Sequence, residues 1–124
     1  SGYAEGLTVR GYAPWTVELR SNRRVIGWGG LNVDPHAPGW GTEVSYFIHP
    51  SYAGQGFATE LVRASLAHGF DALKLQKIGA CAHPANLASI RVLEKCGFRF
   101  CGCEAALERN RYALQRSEWV DAPR

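Results

Sequence analysis

The sequence predicts an α+β domain: a mixed, mostly antiparallel sheet with two helices, in the order β-β-β-α-β-α-β-β. Three observations carry this. Three strand-like runs, the first alternating apolar and polar residues with period two, lie between Trp15 and Ile48. Two stretches with helical spacing follow, separated by one short apolar run, and two further alternating runs close the chain. At 124 residues there is room for one domain, 1–124, with residues 1–14 as an irregular lead-in.

Trp15-Thr16-Val17-Glu18-Leu19 alternates and is rich in aromatic and β-branched residues, which reads as a strand. Ser21-Asn22-Arg23 is a polar turn, and Val25 to Leu31 returns as the second arm of a hairpin. Residues 34–39 carry two prolines and a glycine, so they form a loop. Trp40 to Ile48 is a third strand, ended by Pro50, which lacks a ladder N–H. A helix runs from Phe57 to Gly69, with Ala58, Leu61, Val62, Ser65, Leu66 and Gly69 on its inner face. Lys77 to Ala82 is a short buried strand. Asn86 caps a second helix whose stripe is Leu87, Ile90 and Leu93. Gly97 ends that helix because it accepts positive φ, and Phe98 packs back on the last turn. Phe98 to Cys101 and Arg111 to Gln115 are the closing strands.

Composition excludes several classes. An apolar fraction of 46% against 20% charged residues is that of a folded globule and excludes intrinsic disorder. The net charge is +3 and no basic run exceeds Arg23-Arg24, so neither nucleic acid nor a membrane surface is an expected partner. No apolar stretch approaches the ~18 residues of a membrane span, and Ser1-Gly2-Tyr3 begins nothing like a signal peptide. The sequence contains no methionine, so residue 1 is not expected to be the encoded start. Cys81, Cys96, Cys101 and Cys103 sit in apolar runs and read as small buried hydrophobes, reduced in a cytoplasmic compartment. With no CxxC pair and no His pair at i, i+4, no metal site is expected. The four tryptophans are read as core.

The segment Ala53-Gly54-Gln55-Gly56-Phe57-Ala58-Thr59-Glu60 places two glycines between a strand end and a helix start. Glycines let successive N–H groups converge, and the helix N-terminus adds partial positive charge, so the segment can cradle a pyrophosphate. It is not a Walker loop, because Phe57-Ala58 stands where Lys and Ser/Thr are needed. Nor is it a dinucleotide fingerprint, since the acidic residue expected ~20 positions on is absent. A second segment, Asn86-Leu87-Ala88-Ser89 through Lys95-Cys96-Gly97-Phe98, is by itself a well-capped amphipathic helix.

In this order and at this separation, the two segments resemble the GNAT superfamily of acetyl-CoA-dependent N-acetyltransferases, and most closely its ribosomal-protein-alanine branch. That branch carries Glu-x-x-Tyr, Gly-x-Gly-Tyr/Phe-Ala-Thr-Glu, Asn-x-x-Ser and Lys-x-Gly-Phe. Glu43…Tyr46, Gly54 to Glu60, Asn86…Ser89 and Lys95 to Phe98 match in turn. The resemblance implies a role for each residue. Backbone N–H groups of Gly54, Gln55, Gly56, Phe57, Ala58 and Thr59 would receive the CoA pyrophosphate. Phe47 and Ile48 would offer backbone groups to the pantetheine arm and acetyl carbonyl, and Asn86 would contact the pantetheine. Ser89 would lie near the thiol and protonate the departing thiolate. Glu43 would be the base that neutralises the acceptor ammonium, through a water. Acetyl-CoA is the implied co-substrate, and a primary amine the acceptor, either a protein N-terminus or a small molecule.

Three departures from the family pattern stand out. Ala53 replaces the usual Arg or Gln, Leu93 stands where many relatives have a general-acid Tyr, and the first strand and two helices of relatives have no counterpart before Trp15. The last departure implies an open sheet face, covered by a homo-oligomer contact. Plainer readings stand beside these. Glu43 is alternatively a solvent-facing strand carboxylate and Ser89 a helix-surface hydroxyl. The whole domain is alternatively a CoA-binding sensor or remnant without catalysis.

Overall fold

Period-two alternation in the first half resolves into antiparallel hairpins. The structure, a computed structural model, describes residues 7–10, 15–33 and 41–119. Its strands are β1 (Leu7–Arg10), β2 (Trp15–Leu19), β3 (Val25–Val33), β4 (Thr42–Ile48), β5 (Lys77–Ala82), β6 (Arg99–Glu104) and β7 (Arg109–Gln115). Its helices are α1 (Phe57–Ala67), extended by a wider π-type turn over His68–Ala72, and α2 (Leu87–Lys95). No described helix is long and apolar enough to cross a membrane. The expected loop at 34–39 and the expected strand start at Trp40 lie outside the described residues.

The seven strands form one sheet in the order β1-β2-β3-β4-β5-β7-β6. The fold class is the expected one, with a strand added at the front. Part of the lead-in is therefore not irregular: Leu7–Arg10 pairs antiparallel with β2, Leu7 opposite Leu19 and Arg10 opposite Thr16. Leu-Thr-Val-Arg is a β-forming tetrapeptide too short to announce itself by period, and the edge of β2 supplies its ladder. In the β2–β3 turn, the Asn22 side chain accepts the Arg24 N–H at 2.9 Å. The register slips by one beside Val17, which lets Ile26 turn inward to meet Val17 and Leu61.

Both helices pack on one face of the sheet. Val62, Leu66 and Phe70 meet Leu93 and Cys96 over Val44, Ile78, Ala80, Tyr112 and Leu114, every second residue of their strands. Gly69 is on the expected inner face because a Cβ there would stand 2.5 Å from Ile78 Cδ1. At the end of α2, Gly97 takes φ +94, its N–H donates to Glu94 O, and Phe98 N–H donates to Leu93 O, each at 3.0 Å. This double closure satisfies the last carbonyls, and Phe98 is buried against the final turn, as the sequence predicts.

Four expectations change. Leu87 is 59% exposed rather than on the buried stripe. Six residues at 100° each leave it about 120° around the helix from Leu93. Cys101 and Cys103 are exposed because β6 is the outer strand of the sheet, where the register also slips before Gly102. Trp28 is 47% exposed, standing on the sheet face away from the helices and stacked on Phe47 at 6.2 Å between centroids. Trp15 and Trp119 do pack against the two core clusters.

Candidate active site

β4 and β5 are parallel neighbours and meet at one register pair, Glu43 opposite Gly79. Beyond it the ladder stops, and the backbone groups of β4 that face away from β3 have no strand partner on that side. The parting opens a cleft of ≈ 370 Å³. Because it opens between strands rather than on one surface, side chains from both faces of β4 line it: Glu43 and Ser45 from one, Val44 and Tyr46 from the other. Cys81, Ala82 and His83 come from β5 and its end, Asn86 and Ser89 from α2, Trp28 and Asn32 from β3, and Arg109 from β7.

Glu43 is 5% exposed, so the solvent-facing carboxylate of the plainer reading is not what folds. Its Oε2 accepts the Cys81 S–H at 3.2 Å and lies 3.6 Å from Arg111 Nη1. Arg111 also reaches Glu104 Oε1 at 3.0 Å, and Arg109 Nε donates to the same oxygen at 2.6 Å. The result is a chain of two carboxylates and two guanidiniums, of which Glu43 and Arg109 line the cleft. The Arg109 hydrogen bond, helped by Arg111, holds the Glu104 carboxyl below the ordinary range. Burial first, and Glu43 second, push the Cys81 thiol up to about 12, so it is a hydrogen-bond donor and not a nucleophile at neutral pH.

On the opposite wall, Asn86 caps α2 as expected, its Oδ1 accepting the Ser89 N–H at 3.1 Å. Ser89 is partly buried, and its Oγ shares a 2.6 Å hydrogen bond with the Tyr46 hydroxyl. Leu93 is wholly buried in the core. Burial pushes the Tyr46 phenol above its ordinary value, with Ser89 opposing and Cys96 adding.

The glycine turn lies outside this cleft, at the N-terminus of α1. Gly54 takes φ +78 and Gly56 φ +85, and a Cβ on either would meet nothing within 4 Å. Glycine is needed there for conformation rather than for space. Gly56 is the cap residue and supplies no side-chain partner to the first turn of α1, whose leading N–H groups have none within the helix. That is an anion-accepting end, and an exposed one, so the residues present fit a pyrophosphate. Gln55 is exposed, while Phe57 packs against the Val17–Ile26–Leu61 cluster and anchors the turn. Ile48 packs on that same cluster and the Phe47 side chain points to the far face. The His49 N–H donates to Ile26 O at 2.7 Å, so Gly27–Ile48 is a non-hydrogen-bonded pair: Ile48 turns its backbone groups to the cleft side, while Phe47, contrary to expectation, pairs its own with Trp28.

Of the sequence-derived candidates, the structure brings Glu43, Asn86 and Ser89 into one cleft and keeps Gly54 to Thr59 together in a separate turn. The sequence reading missed Tyr46, Cys81, Arg109 and Arg111. Tyr46 stood in the quoted Glu-x-x-Tyr spacing, but residues three apart on a strand face opposite ways, and no local pattern says that the strand borders a gap. Arg111 sits opposite Cys81 by strand pairing alone.

The sheet thus parts at one parallel pair, and a glycine turn leads from the parting strand into the helix that follows. Residues 2–99 match the acetyltransferase (GNAT) domain, and the chain belongs to that family. It is 36% identical over 87 residues to the uncharacterized N-acetyltransferase YoaA of Bacillus subtilis strain 168, covering 68% of this chain and 48% of YoaA. The chain thus spans about half the length of that relative. Among solved structures, a GNAT-family acetyltransferase from Bacillus anthracis superposes with a TM-score of 0.72 at 28% identity, covering 84% of this chain and 66% of that one. Mycobacterium smegmatis RimJ, solved in complex with CoA-disulfide, gives 0.74 at 25% identity, covering 88% and 55%.

Proposed function

We propose that this domain transfers acetyl from acetyl-CoA to a primary amine by direct attack, without a covalent enzyme intermediate. The observation that carries the reading is the cleft itself: an anchored carboxylate, Glu43, and a hydroxyl pair, Ser89 with Tyr46, on opposing walls of one parting in the sheet. Backbone N–H groups from Gly54 to Thr59 receive the pyrophosphate. Backbone groups of Ile48, with Asn86, hold the pantetheine arm along β4. Glu43 takes a proton from the ammonium through a water, and the freed amine attacks the thioester carbonyl. The C–N bond forms, the C–S bond breaks, the departing thiolate takes a proton from Ser89, and the second amine proton leaves to solvent as the amide forms. Four free cysteines suit a reducing compartment such as the cytoplasm.

The test is release of CoA thiol from acetyl-CoA with an alanyl-terminated peptide, spermidine and a simple alkylamine as acceptors, run beside a thermal shift in acetyl-CoA. Turnover with at least one amine supports the reading. A shifted melting curve with no thiol release across the panel favours a CoA-binding sensor, and an unmoved curve removes the co-substrate.

The reading includes a homo-oligomer contact over the exposed Trp28–Phe47 pair, the apolar part of the face away from the helices. Light scattering is expected to give a mass above the 13.6 kDa of one chain, and a clean monomer removes the contact.

A further inference from the structure

We propose that Tyr46 is a positioning residue for the acid step: its phenol holds the Ser89 hydroxyl with the Ser89 proton facing the cleft, and replaces that proton once it has moved to the leaving thiolate. The inference rests on the transfer reading above and deepens it. The bond between Tyr46 Oη and Ser89 Oγ is 2.6 Å, at the short end for two hydroxyls. Tyr46 Oη also stands 3.3 Å from the Ser89 backbone oxygen, the longer of its two contacts; in the arrangement where its proton goes to Ser89 Oγ, the one Ser89 proton is left to point elsewhere. Elsewhere is the cleft, which both residues line.

No hydroxyl comes from position 93, one turn along α2, because Leu93 is apolar and fully buried. Tyr46 instead approaches Ser89 from the strand side, its ring packed among both core clusters. The groups around it are Ser89 of α2 and Cys96 just past its end, with Glu43, Cys81, His83 and Arg109 across the cleft. Burial keeps the phenol protonated at neutral pH, so it is loaded before the thiolate forms. The step balances. The sulfur takes the Ser89 proton as C–S breaks, Ser89 oxygen takes the Tyr46 proton, and the phenolate is reprotonated by water.

The experiment compares acetyl-CoA with its selenoester analogue, using the most active amine of the panel above. A selenolate is a far weaker base than a thiolate and leaves without a proton. Tyr46→Phe is expected to lower kcat with acetyl-CoA about tenfold or more, to leave KM for acetyl-CoA unchanged, and to regain near wild-type rates with the selenoester. Ser89→Ala, which leaves the Tyr46 ring in place, is expected to show the same donor dependence. Adding Tyr46→Phe to it is expected to cost nothing further, as for residues acting as a unit. A wild-type rate for Tyr46→Phe, or an equal defect with both donors, leaves Tyr46 as a packing residue and overturns the proposal. If Ser89→Ala lowers thioester turnover while Tyr46→Phe does not, the transfer reading stands and the relay alone falls. If the wild-type chain releases no thiol with any amine, the transfer reading itself has failed.

Discussion

Glu43→Gln is expected to lower turnover by about 10²–10⁴-fold while leaving acetyl-CoA affinity where it was, the range for losing a positioned general base. The amide cannot take a proton from the acceptor ammonium, yet it matches the carboxylate in shape, and its oxygen still accepts the Cys81 S–H. Removing one member of a buried ion pair ordinarily strands the other. Here Arg111 retains Glu104 at 3.0 Å, so the variant is expected to fold. Rates across pH are the decisive measurement. Loss of the base is expected to change that profile as well as the rate. Unchanged rates and an unchanged profile would make Glu43 a purely structural partner of Arg111 and Cys81.

Gly56→Val is expected to remove most of the stabilisation that acetyl-CoA confers. At a hundredfold excess over its Kd a ligand adds ~2.7 kcal/mol to the wild-type fold. Gly56 sits at φ +85 at the head of α1, where an L side chain costs roughly 1–2 kcal/mol, and a β-branched one is least suited. The variant either keeps the turn under that strain or abandons it, and in the second case the leading amides of α1 no longer converge on one point. The new side chain also projects into space that is open at present, on the exposed surface of the turn. Gln55→Ala is the control: its side chain is exposed and the cradle is backbone, so the ligand-induced shift is expected to persist. Thermal melts of both variants with and without acetyl-CoA measure this. A full shift in Gly56→Val would place the pyrophosphate away from α1.

Much of this domain is legible without coordinates because its elements are locally consistent. The Lys77–Ala82 strand, the Asn86 cap and the Gly97 closure each follow from residue chemistry acting over a few positions, and each stands where the sequence predicts. The glycine turn is equally local, since positive φ at two nearby positions selects glycine whatever surrounds it. Leu87 and β1 show the limit of local reading. A stripe written at i, i+3, i+6 drifts around the helix, and a four-residue strand exists because β2 offers it an edge.

What the chain alone determined, then, is the order of its elements, their caps and turns, and the residue types for an anion-holding helix end. Which side chains share a site was decided by the tertiary fold. Glu43 and Tyr46 point to opposite faces of one strand, and they line a common cleft because β4 and β5 separate after a single pair. Ser89 reaches Tyr46, and Arg111 reaches Glu43, through packing and pairing between segments far apart in sequence. The physical reason is one of range: backbone preference acts across a turn or two, whereas the parting of two strands is set by the helices and core packed against the whole sheet.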